Sequence, residues 1–146
     1  MKHHRALGAL LVATALGVTA CGSGESATSP SATKTIDVTM TDNKFTPSSL
    51  TVDTGQKVVF RFTNDGKLDH EALIGTKAEQ DDHEDEMSGG SAMGGMDHGG
   101  AAEAITVKPG KTATLTRTFD TAGTMIIGCH VPGHYESGMK ATINVT

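Results

Sequence analysis

The chain reads as an all-β domain, and three features of the sequence carry that reading. Apolar and polar residues alternate through Ile36/Val38/Met40, Val58/Phe60/Phe62 and Ile143/Val145, the period-2 pattern of strands with one buried face. Turn-forming pairs recur between such runs, at Thr54-Gly55, Asp65-Gly66, Pro109-Gly110, Ala122-Gly123 and Pro132-Gly133. With no Trp, one Tyr and four Phe, the core must be built mostly from Val, Ile, Leu, Ala and Met, while the abundant Thr and Val suit a pleated, half-buried surface.

Taken in order, residues 1–20 join a basic head, Lys2 and Arg5, to an apolar run from Ala6 to Ala20 that is too short to span a bilayer permanently. They are expected to be an export signal. The run closes on Val18, Thr19, Ala20 and Cys21, which resembles the lipobox of bacterial lipoprotein signals. That resemblance implies cleavage before Cys21, lipid on Cys21, and an extracytoplasmic protein anchored to the cell membrane of a bacterial envelope. Residues 21–33 are small and polar and suit a flexible tether. One domain is expected from 34 to 146, with strands at 35–40, 49–53, 57–63, 70–74, 104–108, 112–119, 124–129 and 140–145. Between about 76 and 103 the pattern breaks into eight carboxylates and six glycines, which predicts a solvated, largely disordered acidic insert.

Charge and cysteine usage narrow the function. Without Lys2 and Arg5 the chain keeps ten basic residues against seventeen acidic ones, a net charge of −7, which argues against a nucleic-acid partner. If Cys21 carries lipid, Cys129 is the one thiol left, with no intrachain disulfide partner in an oxidising compartment. Such a thiol needs another use.

Cys129, His134 and Met139 supply that use through a C-x4-H-x4-M spacing. Thiolate and imidazole can make short bonds to copper, and a thioether can make a long, weak axial one. Asn64 and His70, followed by Gly128-Cys129, Pro132-Gly133-His134 and Gly138-Met139, resemble the cupredoxins, the blue-copper proteins that include plastocyanin and azurin. The Cys-to-Met spacing is most similar to the rusticyanin and auracyanin type. The resemblance covers residues 34–75 and 104–146. It implies a Greek-key β-sandwich with one mononuclear type 1 copper held by His70, Cys129, His134 and Met139. Family members often carry Asn after the first ligand histidine; Glu71 stands here, and its backbone N–H can still reach the thiolate. His130 is expected to point away from the copper by strand alternation, as a surface residue or one that supports the ligands from behind. Gly128 on the other side of the cysteine, and the lack of a His-x-His pair after residue 20, argue against a multicopper cluster.

The insert offers a second group of soft and imidazole donors: His83, Met87, Met93, Met96 and His98, a possible secondary copper site. Two functions follow. The first is a one-electron carrier, a monomer cycling Cu(II)/Cu(I) between redox protein partners at the envelope. The second is copper capture or delivery, aided by the insert and a copper donor or acceptor. Enzymatic turnover is not expected, since four protein ligands leave no open position for a substrate.

Overall fold

The computed structural model describes residues 32–88 and 103–146. Nine strands and one helix follow in the order β1 (Lys34–Thr41), β2 (Lys44–Thr46), β3 (Ser49–Val52), β4 (Lys57–Asn64), β5 (His70–Gly75), α1 (Lys77–Ser88), β6 (Glu103–Val107), β7 (Thr112–Thr118), β8 (Gly123–Gly128) and β9 (Lys140–Val145). The strands form two sheets, β2-β1-β4-β7 and β3-β9-β8-β5-β6, as the all-β sandwich reading expects. β1 runs parallel to β4 and β3 parallel to β9; the other pairs are antiparallel.

Alternation sets what each sheet turns inward. Val58, Phe60 and Phe62 of β4 are buried and continue to Asn64, so the same inward series ends on an amide. Phe60 stacks near Phe62 at 6.0 Å and meets Phe119 edge-on, while Phe62 meets Phe45 edge-on. On the opposing sheet Ala141, Ile143 and Val145 of β9, Ile127 of β8, and Ala72 and Ile74 of β5 close the same core.

β5 is buried on both faces: His70, Ala72 and Ile74 face the core with Leu73 and Gly75 on the other side. That second face is covered by α1. The helix departs from the expected irregular insert over Lys77–Ser88, and its start is a capping box: Thr76 and Glu79 bond each other's backbone N–H groups with their side chains. Lys77 and Asp81 add an i,i+4 pair. The rest of the insert, with Met93, Met96 and His98, lies outside the described residues, as do the leader, Cys21 and most of the tether. β2 was not foreseen; three residues around the buried Phe45 offer too short an alternation to read.

Candidate metal centre

His70 opens β5, and Cys129 directly follows β8, whose register pairs Gly128 with Leu73 of β5. Inward alternation along β8 runs from Ile127 to Cys129, so the thiol enters the end of the core rather than solvent. The chain then turns and returns as β9, and its own backbone bonds close the loop. His134 N–H donates to Val131 O at 2.9 Å, Met139 N–H to His134 O at 2.9 Å, and Cys129 N–H to Met139 O at 3.2 Å. These bonds hold the three loop residues near one another before any metal is considered.

The side chains converge. Cys129 Sγ lies 3.8 Å from His70 Nδ1 and 3.5 Å from His134 Nδ1, and the two imidazole rings are 5.1 Å apart. Among the described residues, His70, Cys129 and His134 form the one group of three such donors whose ligand atoms all lie within 4.8 Å of one another. Cys129, His70 and Met139 are fully buried and His134 is 8% exposed, so His134 is the ligand nearest the surface. Met139 joins by burial in the same core cluster and by its backbone bonds to Cys129 and His134.

The turn between β1 and β2, held by the loop after β4, supports His70 from behind. Asp42 Oδ1 stands 3.4 Å from His70 Nε2, an atom with no regular hydrogen bond. A ring that gives Nδ1 to a metal carries its proton on Nε2, and a carboxylate placed there orients the ring. Asp42 is itself fixed by Lys67 N–H at 3.0 Å, the leading cause of its lowered pKa. Gly66 is required for this approach, because a Cβ there would crowd Asp42 Oδ1, His70 Nε2 and Asn64 Oδ1. Asn64 spends its buried amide on Leu68 O, Val107 O and Gly66 N–H, tying the first sheet to the His70 loop.

Electrostatics fit a cation. Burial pushes the Cys129 thiol up, opposed by backbone N–H groups of Glu71 and Val131; Glu71 N lies 3.4 Å from Sγ. Burial and the neighbouring His134 hold His70 below the usual histidine range, with Asp42 opposing. The pocket therefore favours a neutral thiol and a neutral His70 ring until a positive ion offsets the thiolate's charge. Soft sulfur beside two imidazole nitrogens, buried and linked to a methionine, is a donor set suited to copper.

The remaining candidates separate. His130 does point away from the ligands, but it is buried rather than at the surface: its nitrogens reach Glu84 Oε2 at 2.5 Å and Gln80 Oε1 at 2.7 Å. His83, on α1, pairs with Glu71 at 3.2 Å, and Met87 is exposed. Sequence reasoning missed Gln80 and Glu84 because their helix was not foreseen; the Thr76–Glu79 capping box was the available signal.

Comparison with known proteins shows what the chain is similar to. The sequence profile of the cupredoxin-like domain matches residues 9–89. The copper-resistant cuproprotein CopI of Pseudomonas aeruginosa is 34% identical over 166 residues, covering 95% of this chain and 92% of that protein. CopI of Rubrivivax gelatinosus is 35% identical over 115 residues, covering 78% and 67% respectively. Among solved structures, the auracyanin of Roseiflexus castenholzii superposes with a TM-score of 0.68 at 23% identity, over 77% of this chain and 97% of its own. Auracyanin A of Chloroflexus aurantiacus gives 0.65 at 27% identity, over 78% and 99%.

Proposed function

The chain belongs to the cupredoxin-like family, and from that premise we propose that it is a type 1 copper protein of the cell envelope serving copper resistance. The observation that carries this reading is the buried Cys129 thiol facing Nδ1 of both His70 and His134, in a chain similar along nearly its whole length to the copper-resistant cuproprotein of Pseudomonas aeruginosa. His70, Cys129 and His134 would hold the ion, with Met139 as the weak fourth donor. Copper bound there supplies exchange of one electron between Cu(II) and Cu(I).

The protein's own residues do the rest. The backbone bonds of the 129–139 loop keep the donors in one arrangement, the Glu71 N–H stabilises thiolate, and Asp42 orients His70. Burial excludes water from the sulfur, and the slightly exposed His134 offers the shortest way out for an electron. The leader, Cys21 and the 21–33 tether support export and attachment by lipid to the membrane.

A host lacking this chain should lose copper tolerance, and wild type but not Cys129→Ser should restore it. Full rescue by Cys129→Ser would overturn the resistance reading. The observation favouring a second reading, a one-electron carrier between redox proteins, is the pre-fixed ligand loop, which demands little rearrangement between oxidation states. Deleting 89–102 separates the two. Loss of tolerance with unchanged electron exchange supports copper handling, and unchanged tolerance with reversible reduction at a fixed potential supports the carrier.

A further inference from the structure

Each candidate ligand is followed in sequence by a residue that belongs to a second layer: Glu71 after His70, His130 after Cys129, Tyr135 after His134 and Lys140 after Met139. These residues touch one another or α1. Glu71 pairs with His83, and His130 bonds Gln80 and Glu84. Tyr135 stacks on His130 with ring centroids 4.4 Å apart, and the Lys140 ammonium sits 3.6 Å over the Tyr135 ring. His83 closes the layer edge-on to His130 at 4.8 Å.

The face that α1 lays on this layer is polar. Gln80, His83 and Glu84 share it by i, i+3, i+4 spacing, so apolar burial does not explain why the helix docks. Gln80 does: its side chain is fully buried, its amide donates to Leu73 O of β5 at 3.1 Å and to Ile126 O of β8 at 2.9 Å, and its Oε1 faces His130 Nε2. One carboxamide thus ties the strand that begins with His70 to the strand that leads into Cys129 and to the residue just after it. Gly128 fits the same contact, since a Cβ there would strike Gln80 Oε1 and crowd Tyr135 and His130. Among the described residues, no three histidine and carboxylate groups of this layer bring ligand atoms within 4.8 Å of one another.

We propose that α1 is a brace for the metal centre and that Gln80 is its positioning residue, fixing Cys129 through His130 and the carbonyls of β5 and β8. The copper arm of the test rests on the function proposed above; the thiol arm does not. Gln80→Met keeps the length of the side chain and removes its hydrogen bonds. Glu84→Ala removes the second partner of His130, and Glu84→Gln keeps a hydrogen-bonding group there. In the metal-free full-length protein, alkylation by iodoacetamide is followed at the peptide containing Cys129. With one equivalent of Cu(II), the thiolate-to-copper band and the affinity against a competing chelator are read.

Gln80→Met should be alkylated faster, bind copper about 10–100-fold more weakly and shift the band, as expected when support behind a ligand is lost. Glu84→Ala should move the same way by less, and Glu84→Gln should restore wild-type values. A folded Gln80→Met with alkylation, band and affinity unchanged would overturn the brace. If Gln80→Met does not fold, the Glu84 pair decides, and Glu84→Ala matching wild type overturns it. A wild type without a thiolate-to-copper band would overturn the copper reading, leaving the alkylation rates to judge the brace.

Discussion

The two sheets divide the work unequally. The four-stranded sheet brings Phe45, Phe60 and Phe62 to the core and carries none of the four candidate ligands, while His70 lies on β5 and the other three lie in the loop that joins β8 to β9, all strands of the five-stranded sheet. Most buried polar side chains divide in the same way: His70, His130, His134 and Gln80 sit on or against the five-stranded sheet and Asn64 of β4 reaches across to it, while Gln56 lies in the turn between β3 and β4. The difference teaches that stability and metal chemistry are assigned to different plates of one sandwich, joined at Asn64 and Asp42. Substitutions should therefore separate unfolding free energy from the copper spectrum according to sheet.

The largest separation is expected at Phe60. Phe60→Ala deletes a fully buried ring between Phe62 and Phe119 and should cost about 3–5 kcal/mol in urea unfolding. The copper band of the folded fraction should stay where it is; a shifted band would break the division. Asn64→Ala comes next, because it leaves Leu68 O and Val107 O without their amide partner and should cost about 1–3 kcal/mol. As the joint between the sheets it should also disturb the His70 loop, so a change in stability with no change in copper affinity would contradict its linking role.

A smaller effect is expected from pH. The folded protein holds His70 and His130 below the ordinary value of 6.5, mainly by burial, so the unfolded chain takes up protons first. The stability from these neutral rings is complete above about pH 6.5 and is lost as pH falls through their lower folded values. Urea midpoints of the metal-free protein should fall across that acid range, and a flat profile would contradict the burial argument. Copper affinity should fall in acid as well, because bound imidazole and thiolate must be deprotonated. The smallest effect is expected at Asp37, whose pair with Arg61 is exposed on β1 and β4; Asp37→Ala should leave both readouts within error.

Much of this division could be read from the sequence. Val58/Phe60/Phe62 and Ile143/Val145 announced strands because each keeps one face dry, and Cys129, His134 and Met139 stood close enough along the chain to be read as a donor set. His70 lies 59 residues from Cys129, and only a family resemblance linked them before the structure set Nδ1 beside Sγ. The layer behind the ligands was not legible for a related reason. α1 has no apolar stripe, so its residues carried no 3.6-residue signal, and two of the three partners of Gln80, Ile126 and His130, lie 46 and 50 residues away in sequence. His130 illustrates the limit: alternation correctly turned it away from the ligands, but only the helix over it makes that direction buried.

The most direct test of the central claim is titration of the purified protein with Cu(II), followed by visible absorption, in wild type and Cys129→Ser. An intense thiolate-to-copper band that saturates at one equivalent, bleaches reversibly with reductant and is absent from Cys129→Ser is the predicted result. Weak absorption that is the same in both proteins would contradict the assignment of His70, Cys129, His134 and Met139 as one copper centre.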